Sequence, residues 1–253
     1  MINRITKLTI FITILGLVIG NLVIATDSGE IWIEYSHRTI NIVLGFFLLL
    51  ISINALKNQK RKNSRFFAIL SSLLYLLQLV NERLEFSTLE VTLNLLLLTS
   101  VIYLHYSTQE PKEVVNLNII KKPSKILLIV IFVETLIGAF FKHSNISELF
   151  YSTTNNLGLV SNTLFSSTVN SLHGILAITI LLIAAYILSL SISYNVYKTR
   201  SIYLIVTLLL TILFGVLPRL HEQNVFTSFM HLTLTTFTIT ICATITAKRE
   251  GRD

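Results

Sequence analysis

Long apolar segments alternate with short polar stretches along the whole chain. The pattern predicts eight such segments, at residues 7–25, 38–56, 65–82, 88–106, 125–142, 168–194, 201–218 and 225–247. An α-helix rises about 1.5 Å per residue, so about 20 apolar residues cross the roughly 30 Å hydrocarbon core of a bilayer. We therefore expect an all-α integral membrane protein with eight transmembrane helices.

The overall composition agrees with a membrane protein. Hydrophobic residues make up 53% of the chain and charged residues only 13%, and the mean hydropathy is +0.72. Such a chain has too little polar surface to dissolve as a globular domain. The single cysteine, Cys242, excludes an intrachain disulfide.

Basic residues cluster at alternate ends of the predicted helices. Most of the 20 lysines and arginines lie near the amino terminus, at 57–65, at 112–125, at 198–200 and at 248–252. Positive charge stays on the cytoplasmic side, so we expect a multi-pass protein of the cell membrane with both termini in the cytoplasm. The basic residues behind the net charge of +7 are then expected to interact with anionic lipid headgroups. No nucleic-acid partner is expected.

The chain shows an internal repeat. His37 and His173 are 136 residues apart, each near the start of an apolar helix, and Asn94 and His231 are 137 apart. We expect two homologous four-helix bundles: residues 1–106, a cytoplasmic linker at 107–124 with Pro111 and Pro123, and residues 125–253.

His173 and His231 are the strongest candidates for a metal site. Both are predicted to lie in the first two turns of helices that run inwards from the outer surface, at nearly equal depth. Two such imidazoles can take the two axial positions of a heme lying between the helices, near the outer leaflet. The alternative is an ordinary polar residue at the membrane interface.

Several short motifs point to one family. They are Gly20-Asn21-Leu22-Val23 followed by Thr26-Asp27-Ser28-Gly29, then Glu34-Tyr35-Ser36-His37-Arg38, Gln78, and Ile137-Gly138-Ala139-Phe140. In these motifs the chain resembles the heme A synthases, eight-helix membrane proteins made of two homologous halves. The resemblance covers nearly the whole chain.

The resemblance implies two heme sites. His173 and His231 match the family's ligands to a heme b cofactor, while His37 and Asn94, with Gln78 nearby, match the pair that accepts the substrate heme. A histidine stands in the family where this chain has Asn94, and an amide is a poor iron ligand.

The resemblance also implies a reaction. The family oxidises a methyl substituent of heme O to a formyl group through water-derived hydroxylation steps, and the heme A produced supplies a terminal oxidase. Heme O synthase and the oxidase are then partners, with an electron acceptor that the sequence does not identify. Glu34 would stabilise positive charge on the substrate or take up a proton, His37 would hold the substrate iron, and Arg38 would pair with a propionate.

Other features leave the assignment open. The first outer loop lacks the cysteine pair of many bacterial members, Gly174 follows His173 where an arginine is common, and Glu134 replaces a common glutamine. Glu134 is a candidate for a proton path, and Glu34 has the alternative of a solvated acid paired with Arg38. The rival functions are a non-catalytic heme b protein or electron carrier of the same family, and a heme-free transporter.

Overall fold

The fold is built entirely from long helices in the part of the chain that the structure describes. The computed structural model describes residues 2–26, 31–58, 62–84, 87–109, 118–143, 160–220 and 225–248, and these contain eight α-helices and no strand. The helices are α1 (Ile2–Thr26), α2 (Ile31–Asn58), α3 (Lys62–Leu84), α4 (Ser87–Ser107), α5 (Asn118–His143), α6 (Val160–Ser193), α7 (Lys198–Leu220) and α8 (Val225–Ala247).

The outer faces of the helices are apolar. Each of the eight helices in the described ranges is long and apolar enough to cross a membrane, which confirms the predicted all-α class and the predicted number of long apolar helices in those ranges. Large hydrophobic side chains lie exposed along them, including Phe11, Ile42 and Leu182. A soluble protein rarely exposes so much continuous apolar surface, whereas lipid tails would cover it.

Three helices begin seven or eight residues earlier than the hydropathy pattern predicts. α2 begins at Ile31, α5 at Asn118 and α6 at Val160, instead of near 38, 125 and 168. Hydropathy detects only the apolar part of a helix, and polar first turns continue it beyond that part. The end of the predicted 107–124 linker is therefore helical, and α5 includes Pro123, which removes one backbone donor near the helix start. Residues 110–117 and 144–159 lie outside the described ranges.

We divide the eight helices in chain order into an amino-terminal half (α1–α4) and a carboxy-terminal half (α5–α8). In the first, each helix packs on its chain neighbour and α1 packs on α4. In the second, chain neighbours pack likewise and α5 packs on α8. The two groups meet where α8 contacts α1 and α4, and where α4 contacts α5.

Small hydroxyl side chains join neighbouring helices. Ser71 of α3 bonds Ser100 of α4 across 2.8 Å, and Tyr103 of α4 donates to Thr246 of α8 at 2.7 Å. Helix pairs inside a membrane gain stability from such bonds and from the close approach that small residues allow.

Candidate functional site

His173 of α6 and His231 of α8 line one cavity of about 330 Å³ inside the carboxy-terminal half. We call it the carboxy-terminal cavity. All four helices of that half contribute to its wall, which is mostly apolar and includes Ile131, Ile180 and Leu208. Sites for organic ligands have roughly this size, about 300 to 1,000 Å³, and this balance of many apolar groups and few polar ones.

A backbone hydrogen bond orients the His231 ring. Its Nδ1 lies 2.9 Å from the carbonyl oxygen of Thr211 on α7. Because a carbonyl oxygen only accepts, the proton of this bond must be on Nδ1, and the lone pair of a neutral ring is then on Nε2. Ligand histidines are commonly held by the ring nitrogen that does not bind the metal.

The carboxyl group of Glu134 lies beside Nδ1 of His173, as the carbonyl oxygen of Thr211 lies beside Nδ1 of His231. Oε1 of Glu134, on α5, lies 3.2 Å from His173 Nδ1, the separation of an ion pair when the ring is protonated. Both side chains are largely buried, with 14% and 22% of their surface exposed, and both line the carboxy-terminal cavity. Glu134 therefore contacts the candidate ligand directly, a relationship that its sequence position did not indicate.

Each of three histidines packs against a glycine on the preceding helix. A Cβ atom at Gly138 would lie 3.0 Å from Cε1 of His173, and one at Gly215 would lie 2.9 Å from Cε1 of His231. A Cβ atom at Gly20 would come as close to His37, 3.0 Å from its Nε2. Any other residue at these positions would push the ring away.

His37 has different surroundings from the other two. Its side chain is buried, and Nε2 lies 3.5 Å from the amide nitrogen of Asn41 one turn along α2. It is not among the residues that line the carboxy-terminal cavity. Nearby, Glu34 and Arg38 form an ion pair at the exposed start of α2, with 46% and 61% of their side chains accessible.

Asn94 and Gln78 also lie apart from the carboxy-terminal cavity. Asn94 lines a crevice of about 20 Å³ among α1, α4, α5 and α8, together with Asn21 and Glu90. This crevice has room for about one water molecule. Gln78 of α3 is buried, and its Oε1 has no hydrogen-bond partner among the residues that the structure describes. His37 does not line the crevice either. The two residues of the predicted pair, His37 and Asn94, therefore do not line a common space in either the crevice or the carboxy-terminal cavity.

The two histidines of the carboxy-terminal cavity suit a metal that is already bound by a macrocycle and needs only two further ligands. In such a site His173 and His231 would supply the two remaining nitrogen ligands, and the apolar walls would suit a flat macrocycle. A bare ion needs more protein ligands than this, and the described residues contain no group of three or more His, Cys, Asp or Glu that could hold one. The residues present therefore fit a heme.

Comparison with known proteins finds no family model that matches this chain and no curated relative.

Proposed function

We propose that this protein is an integral membrane heme protein that binds heme b between α6 and α8 through His173 and His231. The observation that carries the proposal is that both imidazoles line one cavity of suitable size. Each also has its Nδ1 beside an acceptor, Thr211 O for His231 and Glu134 Oε1 for His173. Nε2 of each ring then serves as the axial donor.

We also propose that the two halves are homologous four-helix bundles and that both chain termini lie in the cytoplasm. The two groups of four helices have the same internal contacts, α1 with α4 and α5 with α8, which supports two homologous bundles. Positive charge near both termini supports a cytoplasmic location for each. The heme site then lies near the outer leaflet, because His231 is in the second turn of a helix that runs inwards.

The first candidate reaction is the oxidation of heme O to heme A. It is supported by the resemblance to heme A synthases and by Glu34, His37 and Arg38, which lie together in the first two turns of α2. In this reaction heme b supplies a redox centre beside the substrate. Arg38 would exchange its ion pair with Glu34 for a substrate propionate, and the carboxylate of Glu34 would then face positive charge on the substrate.

The second candidate is an electron carrier that uses heme b alone. One observation favours it. Asn94, whose amide is a poor iron ligand, occupies the position of the expected second ligand. An electron carrier needs no second heme, so this residue does not have to bind iron.

Absorption spectroscopy tests the shared part of the proposal. The purified protein should show the Soret and α bands of a low-spin, bis-imidazole heme b. His173→Ala and His231→Ala should each lose or alter these bands, whereas His105→Ala, a buried histidine outside the carboxy-terminal cavity, should not. A purified, folded protein without a Soret band would instead indicate the heme-free transporter.

Co-expression separates the two reactions. The chain is produced with a heme O synthase, the hemes are extracted, and the formyl product is sought by chromatography. Heme A that is lost in Glu34→Ala, with heme b retained, supports the synthase. Heme O alone, beside a heme b-loaded protein, supports the carrier.

A further inference from the structure

We infer that the amino-terminal half is a closed copy of the carboxy-terminal site, in which the chain's own side chains fill the space of a second heme. The protein then binds one heme, not two. This inference rests on the proposed heme b binding and decides between its two candidate reactions. It follows from comparing the two halves position by position.

The buried positions of α2 recur in α6 at a separation of 136. In α2 the inward residues are His37, Asn41, Leu44, Leu48, Ile51 and Ala55. Their counterparts in α6 are His173, Ala177, Ile180, Ala184, Ile187 and Ser191, of which the first three line the carboxy-terminal cavity and the last three are buried. The helical faces therefore correspond.

A separation of 137 aligns α3 with α7 in the same way. Ser64 and Ser71 of α3 correspond to Ser201 and Leu208 of α7, and all four are buried. The same separation aligns α4 with α8 and places Asn94 at the position of His231.

Three residues that line the carboxy-terminal cavity are smaller than their counterparts in the other half. The pairs are Ala177 and Asn41, Thr211 and Leu74, and Gly215 and Gln78. The larger members are all buried. Apolar neighbours complete the filling, because Leu44, Leu48, Leu74, Leu93, Leu97 and Val101 belong to one packed cluster.

Tyr75 closes the gap between α2 and α3. Its hydroxyl donates to the carbonyl oxygen of Asn41 at 2.8 Å. Its ring lies against Gly45, where a Cβ atom would come within 2.7 Å of Cζ. The corresponding residue of α7 is Ile212, which lines the carboxy-terminal cavity and is too short to reach as far.

The two halves differ at two residues around the position of the second heme ligand. Gly215 leaves room for the His231 ring, since a Cβ there would lie 2.9 Å from it. In the amino-terminal half the corresponding residues are Gln78 and Asn94. The amino-terminal half therefore lacks the imidazole of His231, and a buried glutamine replaces the glycine that faces it.

The residues of this half therefore do not fit a second heme. His37 is buried beside Asn41, and it lines neither the carboxy-terminal cavity nor the crevice at Asn94. Oxidation of heme O needs substrate heme in this half, so the inference favours the single-heme electron carrier.

Counting heme per chain tests the inference. Heme is measured as its pyridine complex, and protein by amino-acid analysis, on the full-length chain purified in detergent. We expect one heme per chain, an unchanged value and spectrum in His37→Ala, and loss in His231→Ala. Two hemes per chain, one of them lost in His37→Ala, would overturn the inference and leave heme b binding intact. No heme in the wild-type protein would overturn both.

Transferring cavity-lining residues of the carboxy-terminal half into the amino-terminal half tests whether side-chain size prevents a second heme from binding there. A fourfold variant carries Leu74→Thr, Tyr75→Ile, Gln78→Gly and Asn94→His, and we expect it to bind a second heme. Asn94→His alone should remain at one. Retention of the His231-dependent heme shows that each variant is folded. A folded fourfold variant without a second heme, or a single Asn94→His variant with one, would contradict the steric argument.

Discussion

Oε1 of Glu134 lies 3.2 Å from Nδ1 of His173, so a carboxyl group of α5 contacts the candidate heme ligand of α6. The proposed role of Glu134 is positioning. After a small adjustment of either side chain, Glu134 would accept a hydrogen bond from Nδ1–H and so direct the Nε2 lone pair towards the iron of a bound heme. His231 has the backbone carbonyl of Thr211 in the same place, which no side-chain substitution removes.

Substitution of Glu134 should therefore weaken heme binding through His173. We expect Glu134→Leu to lower the affinity for hemin by about 10- to 100-fold, the usual cost of losing a group that orients a metal ligand. Glu134→Gln should restore most of it, because its amide oxygen still accepts. Titration of the apoprotein with hemin measures both, and Glu82→Gln, at an exposed position of α3, is the control. Equal affinities for the leucine and glutamine variants would exclude the positioning role.

The glycines beside the two ligands give a second prediction. Gly138→Ala and Gly215→Ala should each lower heme occupancy, because a Cβ atom at 2.9 to 3.0 Å displaces the histidine ring. The helix itself should not suffer, since alanine favours helix by about 0.5–1 kcal/mol over glycine. Heme per chain and thermal unfolding, measured together, separate these two effects.

Gly20→Ala is the matched control for this pair of variants. It places a Cβ atom 3.0 Å from the His37 ring, as close an approach as at Gly138. If the amino-terminal half binds no heme, this variant keeps full heme occupancy. A loss equal to that of Gly215→Ala would show that His37 also binds heme.

The ion pair at the start of α2 gives a third prediction. Glu34 and Arg38 are partly exposed to solvent, and such pairs contribute about 0.2–1 kcal/mol. Glu34→Ala should therefore change the unfolding temperature by no more than a few degrees and leave heme b bound. A large fall in stability would instead indicate a structural role for this pair.

Tyr75 gives a fourth prediction. Tyr75→Phe removes the hydrogen bond to Asn41 O and should destabilise the fold by about 1 kcal/mol. Heme occupancy should stay the same, because the ring still fills the space beside Gly45. Tyr203→Phe, on the exposed face of α7, should have little effect on the unfolding temperature. Loss of heme in Tyr75→Phe, with Tyr203→Phe unaffected, would contradict the separation of the two halves.

The helical class and the number of helices in the described ranges were predictable from the sequence. Both depend on hydropathy summed over about 20 residues, a local property that neighbouring helices hardly alter. The exact helix starts were not predictable, because Glu34 and Pro123 lie in helical turns that the apolar pattern does not include. The pairing of His173 with His231 was predicted from repeat spacing, and the structure places both on one cavity; iron binding by them stays a prediction.

Contacts between helices were decided only by the tertiary structure. Glu134 meets His173, Gly215 makes room for His231, and Tyr75 reaches Asn41 and Gly45. None of these contacts follows from a period of 3.6 residues within one helix, because each depends on how two helices are rotated and how far apart they lie. The sequence by itself determines which faces are apolar and where the histidines recur. Only packing decides which half keeps a cavity, because the volume left between four helices depends on all the side chains that point into it together.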